Sequence, residues 1–415
     1  MTSIETHPNQ IDANSKPGLG PQASCTNGRT FKVMRIIARL NVGGPAIHTV
    51  LLTDLMNRTS YPTTLVTGVE GATEGSMRYL AEERGIEPVV IQELGREISW
   101  KDDLVTLWKL ILLMRREKPD IVDTHTAKAG TLGRIAAIVA LAGRRKRIFH
   151  TFHGHVFHGY FSPRKTRIFV RIEQILARFT DRLIAVSEIT KSELIQFDIA
   201  PASKIAVIPL GLDLGPFMEC EQHRGELKAE LRLPPDTILV GIVARLVPIK
   251  DIEAFLTAIQ RVRQVHDKVE VAIVGDGELR NALEAQAKAL EIADSVHFLG
   301  FRKDLPRIYA DLDLVALSSL NEGLPVSIIE AMASGCTVVS TAVGGVPNLI
   351  AEGETGFLAP PGDPAALADA LLRAIEAKVR WQQIGRRARQ QAASRYDVAR
   401  LVSDMEALYA GRDSQ

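Results

Sequence analysis

Two glutamates stand eight positions apart in Asn321-Glu-Gly-Leu-Pro-Val-Ser-Ile-Ile-Glu330, across a Gly-Leu-Pro turn and the start of an apolar helix. Pro325 suits a first helical turn, where its missing N–H costs nothing, and the upstream run Asp313-Leu-Val-Ala-Leu317 reads as a buried strand. A helix N-terminus at the carboxyl end of a parallel strand favours an anion, because free amides and the positive dipole end face the turn. Carboxylates beside a phosphate would repel it, so Glu322 and Glu330 are expected to accept from hydroxyls of a sugar and a ribose. The turn reads as a nucleotide-sugar clamp. Its cations are Arg245 and Lys250, which share one loop in Ala-Arg-Leu-Val-Pro-Ile-Lys after another strand. A guanidinium fork and an ammonium point charge together can hold a diphosphate and stabilise it as it departs.

Other motifs carry two readings each. Gly43-Gly44 before a helix lets backbone approach a phosphate or sugar, or is a plain tight turn; its spacing is not the GxGxxG of a dinucleotide fold. Gly275-Asp-Gly277 after another strand is as weak a signal, and a plain strand-to-helix turn explains it. The run His150-Thr-Phe-His-Gly-His-Val-Phe-His158 suggests a metal, yet strand parity sends alternate residues to opposite faces and keeps four imidazoles from converging. His153, at the strand end before Gly154, is best placed to enter a cleft. His125 sits at another strand end, with Lys128 and Gly130 opening the next helix, and both histidines are expected to donate to a sugar or acceptor hydroxyl. Asp311-Leu-Asp313 matches a metal–diphosphate pattern but precedes its strand, on the wrong edge of a parallel sheet, so a structural role is expected. No other metal constellation and no nucleophile elbow is present.

Elements to position these residues alternate along the chain. Strand candidates at 33–38, 64–67, 89–91, 121–124, 148–152, 183–186 and 206–208 are separated mostly by helical patterns, which is the signature of a parallel α/β sheet. The pattern breaks over residues 214–235 into Gly-Pro, charged residues and Pro-Pro. A second series follows at 238–244, 269–274, 296–299, 314–317 and 338–340. We therefore expect a flexible leader (1–30), an N-terminal domain (31–214), a linker (215–235), a C-terminal domain (236–395) and a last helical segment (396–415) that crosses back to the first domain. Ligands of such sheets bind at strand carboxyl ends, so the cleft between the domains is the expected site.

Composition narrows the class. With 415 residues and 46% hydrophobic side chains, two cores are affordable, and a net charge of +1 gives no overall pull toward nucleic acid. Three scattered cysteines make neither a disulfide framework nor a CxxC site and suit a reducing cytosol. No apolar run reaches eighteen residues, and the polar first thirty lack the core of a signal peptide. Residues Arg164 to Phe179 mix five basic side chains with apolar ones at helical spacing. That stretch is either a core-facing helix with a solvated basic face or a peripheral membrane contact.

Taken together, these residues resemble a GT-B glycosyltransferase of family 4, a retaining group, over nearly everything from Phe31 to Ala410. The marks are Gly43-Gly44, Thr151-Phe-His-Gly154, Ile208-Pro-Leu-Gly-Leu-Asp213, the Arg245–Lys250 loop, Val274-Gly-Asp-Gly277, Phe298-Leu-Gly-Phe301 and Glu322–Glu330 with its following Ala-Met-Ala-Ser-Gly335. The stretches around His125 and His153-Gly-His155 are similar to the capsular and exopolysaccharide branch. The resemblance implies two doubly wound Rossmann-like domains facing across a cleft, with a C-terminal helix packed on the first. It implies that Arg245 and Lys250 hold the donor diphosphate, Glu330 the ribose and Glu322 the transferred sugar, with His153 near the reacting carbon. Gly43, Gly44, Gly275, Gly323 and Leu324 would lie along the donor, Phe301 beside its base, and His125, Lys128 and His155 on the acceptor side. No cofactor or catalytic metal is implied. The donor is a nucleotide sugar, with uridine diphosphate favoured by family frequency, and the acceptor a glycan or lipid-linked glycan at the cytoplasmic membrane face. Pro325 departs from a full amide cradle, since it offers no N–H. A nucleotide-sugar 2-epimerase of the same architecture, or a noncatalytic nucleotide-sugar binder, remains open at this point.

Overall fold

The protein's computed structural model describes residues 29–71, 75–95, 99–154 and 163–412. Most of the expected leader, and His155, lie outside them.

Among the described residues, thirteen strands form two separate parallel sheets. The first holds β1 (Val33–Ile37), β2 (Thr63–Thr67), β3 (Val89–Val90), β4 (Ile121–His125), β5 (Arg147–Phe152), β6 (Arg182–Ala185) and β7 (Ile205–Val207), in the order β3-β2-β1-β4-β5-β6-β7. The second holds β8 (Ile238–Val243), β9 (Val269–Val274), β10 (Val296–Gly300), β11 (Leu314–Leu317), β12 (Thr337–Thr341) and β13 (Gly356–Ala359), in the order β10-β9-β8-β11-β12-β13. Every pairing between strands is parallel. Helices cover both faces, so the central strands are almost wholly buried and read as near-continuous apolar runs. The strand order reverses between β1 and β4, and again between β8 and β11. Loops diverge at these two switch points and leave a crevice at the strand carboxyl ends. β13, which starts on a glycine and runs for four residues, adds a strand that the sequence candidates lack.

The chain then returns. Helix Trp381–Tyr396 packs on helix Val326–Ser334 in the second domain. Asp397 ends that helix and caps the next, Val398–Ala410, by accepting from the amide of Ala399 at 2.8 Å. The last helix lies on the first domain, where Leu401, Met405, Leu408 and Tyr409 join Val33, Ile121, Phe149 and Ile184 in one core. Burial of each such aliphatic side chain is worth about 1.5–3 kcal/mol. Among the described residues no helix is long and apolar enough to cross a membrane.

Candidate active site

Lys250 and Glu322 meet at the second switch point. Lys250 ends a short turn, Pro248–Lys250, beyond β8, and Glu322 follows β11. Two bonds knit the loops: Ser318 Oγ donates to the Lys250 carbonyl at 2.8 Å, and the Leu320 amide donates to Ile249 at 2.9 Å. On that frame Glu322 Oε1 accepts from Lys250 Nζ at 2.5 Å and from Ser319 Oγ at 2.6 Å. The side chain of Arg245, half-buried in the same loop, has no hydrogen-bond or ion-pair partner among the described residues. An unpaired guanidinium beside a paired ammonium leaves positive charge that could meet an anion.

The first domain presses on this turn with glycines. A Cβ on Gly44 would stand 3.0 Å from Val326 Cγ2, and one on Gly323 would stand 2.8 Å from the His153 carbonyl and 3.0 Å from Gly154 Cα. Side chains there would hold the domains apart. The amides of Gly323 and Leu324 make no hydrogen bond among the described residues. Gly43 donates its own amide to Met77 Sδ at 3.4 Å, so of the pair only Gly44 faces the donor turn.

Behind His153 lies a buried polar chain. His153 Nε2 is 2.9 Å from His125 Nδ1, and His125 Nε2 is 3.2 Å from Asp123 Oδ2. The same oxygen accepts from Arg35 Nε at 2.9 Å and from the Tyr409 hydroxyl at 2.7 Å. Both ring nitrogens of His125 are thus occupied and the ring is fully buried, which corrects the expectation that it donates to an acceptor hydroxyl. Burial, reinforced by His125, holds His153 well below the ordinary imidazole range, so it is neutral at pH 7. His48, one turn after Gly44, packs against both rings at 5.7 and 5.2 Å between centroids. Spacing from Gly44 was a usable signal for it. Ser319, Asp123 and Tyr409 gave none that a single sequence reveals.

Other expected residues are placed differently. Lys128 Nζ binds Asp103 Oδ1 at 2.7 Å and ties its helix to helix Trp100–Glu117, so it is not a free cation for an acceptor. The Gly275 amide donates to Gly300 at 2.8 Å, and a Cβ there would sit 1.9 Å from the Ala244 carbonyl. Its φ of 133° and that contact make it a spacer beneath the Arg245 loop, with no amide to offer a phosphate. Phe301 is exposed at the end of β10. Glu330 is buried and bonded by the Tyr309 hydroxyl at 3.2 Å; burial pushes its carboxyl up to about 8, with the Tyr309 bond opposing. Asp311 accepts from the amides of Gly225, Leu227 and Lys228, and Asp313 from the Leu239 amide and Lys228 Nζ. Both are therefore committed to structure. His150 is likewise core, bonded to Thr124.

Comparison with known proteins decides the family. Residues 42–215 match Glycosyltransferase Family 4, and residues 223–391 match Glycosyl transferases group 1. The chain is 32% identical over 324 residues, 77% of its length and 82% of the relative's, to the Escherichia coli UDP-Gal:alpha-D-GlcNAc-diphosphoundecaprenol alpha-1,3-galactosyltransferase. The chain belongs to glycosyltransferase family 4. This glycosyltransferase is also 26% identical, over 76% of its own length and 83% of the relative's, to the Staphylococcus aureus capsular polysaccharide biosynthesis glycosyltransferase CapM. Its fold matches that of Anabaena Alr3699/HepE in complex with UDP, with a TM-score of 0.78, 25% identity and coverage of 92% of this chain and 100% of that one. The architecture is GT-B, and the protein is an enzyme of sugar transfer.

Proposed function

We propose that this glycosyltransferase moves a sugar from a UDP-sugar to a hydroxyl of a lipid-linked or polymeric glycan during surface or extracellular polysaccharide synthesis, retaining the anomeric configuration and needing no catalytic metal. The observation that carries it is the Lys250–Glu322 pair beside unpartnered Arg245, closed over by Gly44 and Gly154. The donor and acceptor named for the galactosyltransferase, and the UDP of the Anabaena complex, support the substrate class.

In this reading Arg245 and Lys250 bind the diphosphate, Glu330 accepts from the ribose, and Glu322 positions sugar hydroxyls near His153. Phe301 flanks the base, and the amides of Gly44, Gly323 and Leu324 complete the phosphate cradle. The C1–O bond to the diphosphate breaks, the acceptor oxygen bonds to C1 on the same face, and the acceptor proton passes to the leaving phosphate oxygen. Arg245, Lys250 and the loop amides neutralise charge where it develops.

We place the enzyme in the cytoplasm, at the inner membrane face. Helix Pro163–Arg178 turns Glu173 inward to Arg134 at 2.6 Å while Arg167, Ile168, Arg171, Ile175, Arg178 and Phe179 stay exposed. Leu176 and Ala177 are core, so the helix has both the faces that its sequence left open. Helix Ala127–Ala140 packs against both this helix and helix Trp100–Glu117, and the latter exposes Trp100, Leu104, Trp108 and Leu112 at every fourth position. Aromatic and apolar groups beside arginines suit an anionic lipid surface.

The test is incubation with UDP-galactose, UDP-glucose and UDP-N-acetylglucosamine, each with and without GlcNAc-diphosphoundecaprenol, and with and without EDTA. An α-linked product formed only with acceptor, and unaffected by EDTA, is expected. Rearrangement of the donor alone would make it an epimerase; a β-linked product or loss with EDTA would overturn retention or metal independence.

A further inference from the structure

A single carboxylate fixes where the protons sit along the buried chain that ends at His153. Asp123 Oδ2 receives Arg35, Tyr409 and His125 at once. Arg35, Tyr409 and His125 together outweigh the burial that would otherwise raise the Asp123 carboxyl, and hold it ionised. Its negative charge is already balanced by the Arg35 guanidinium at 2.9 Å, so an added proton on His153 would be an uncompensated buried charge. An ionised carboxylate has no hydrogen to give. The 3.2 Å contact therefore requires the hydrogen on His125 Nε2, which leaves a lone pair on His125 Nδ1. The 2.9 Å contact to His153 then requires a hydrogen on His153 Nε2. What remains is His153 Nδ1, unprotonated, buried and without a partner among the described residues. A buried imidazole nitrogen left unsatisfied costs stability unless a ligand completes it.

We propose that Asp123, through His125 and with Tyr409 of the last helix as its second support, fixes His153 as the Nε2–H tautomer, so that His153 Nδ1 accepts a hydrogen bond from a hydroxyl of the donor sugar. The proposal rests on the donor-site reading given above. His153 is the residue whose carbonyl and following glycine abut Gly323, next to Glu322. Asp123, His125 and Tyr409 are positioning residues and touch no substrate. The arrangement makes the site selective for a group that can donate at this point, because a sugar lacking that hydroxyl leaves Nδ1 unpaired.

The first measurement needs no variant and no turnover. With ring-15N-labelled histidine in the full-length enzyme at pH 7, two-bond 1H–15N correlations should show His125 and His153 both as Nε2–H tautomers, with His153 assigned from the signal lost in His153→Gln. An Nδ1–H tautomer or an imidazolium at His153 overturns the proposal, whether or not the enzyme proves to transfer sugar. The second compares His125→Leu with His125→Gln, whose side-chain carbonyl can still accept from His153 Nε2. Using UDP-glucose, kcat/KM should fall about ten-fold or more in the leucine variant and recover to within about three-fold in the glutamine variant. UDP itself, which carries no sugar, should bind both within about two-fold of wild type. Equal loss in both variants, or loss of UDP binding with the sugar effect, would assign His125 a packing role only. Finally, in a series of deoxy-UDP-sugars, one deletion should slow the wild type about ten-fold and leave His153→Ala unaffected; no such selective deletion also overturns it.

Discussion

Lys250 Nζ and Glu322 Oε1 are 2.5 Å apart, so a cation delivered by β8 and a carboxylate delivered by β11 neutralise one another across the switch point of the second sheet. A diphosphate arriving there competes with Glu322 for Lys250. Release of the carboxylate would then be coupled to occupation of the phosphate position, and Glu322 would become available to sugar hydroxyls only when a donor is present. Glu322→Gln should keep UDP affinity within about three-fold while transfer drops by about a hundred-fold or more. Calorimetry with UDP, set beside steady-state rates, separates the two effects.

Arg245 offers the opposite signature. Because no described residue partners it, Arg245→Ala removes nothing from the resting protein, and the melting temperature should stay within about 2 °C of wild type. UDP binding should weaken about ten- to hundred-fold, since a charge-assisted fork to phosphate is lost. Arg245→Lys should restore part of the affinity only. Normal turnover in a well-folded Arg245→Ala enzyme would remove the diphosphate assignment.

On the proposed ribose contact, Glu330 would link nucleotide binding to protons. Its carboxyl, near 4.5 when the chain is unfolded, is pushed up to about 8 in the fold. Between those values the folded state holds a proton that the unfolded chain has released, so stability falls as pH rises through the window, by up to about 1.4 kcal/mol per unit, and levels off above it. Glu330→Gln should flatten the melting-temperature profile between pH 5.5 and 8. Ribose hydroxyls donating to Glu330 favour its ionised form, so UDP binding at pH 7 should release protons. Calorimetry in buffers of differing ionisation enthalpy detects that release, and the glutamine variant should show less of it.

Membrane contact has its own readout. Sedimentation with vesicles containing anionic phospholipid should carry the enzyme down at low salt and less so above about 0.5 M. Arg167→Gln with Arg171→Gln, or Trp100→Ser with Trp108→Ser, should each weaken it several-fold without altering UDP affinity. No binding to any vesicle would leave these faces to another role.

Much of the scaffold was legible in the sequence, because fully buried parallel strands are short apolar runs between helical periods. The donor loops followed from it, since strand carboxyl ends and a Pro at a helix start are local signals. What stayed hidden depends on partners far apart in the chain. Nothing near His125 says that Asp123 and His153 would consume both its nitrogens, and nothing near Lys128 says that Asp103 would claim its charge. The family resemblance put Gly275 along the donor, but whether a glycine serves a ligand or a neighbouring carbonyl depends on what packs beneath it. Here Ala244 does.

The last helix bears on how this enzyme can be recombined. Residues 398–410 are translated after the second domain yet complete the core under β1, β4 and β5, and Tyr409 reaches Asp123. A fragment ending near residue 214 would expose Phe149 and Ile121 and lose that hydroxyl. The first domain is therefore not portable as a contiguous gene segment. A chimera that exchanges first domains between relatives needs two crossovers, one in the linker and one at Asp397, so that the closing helix travels with the sheet it seals.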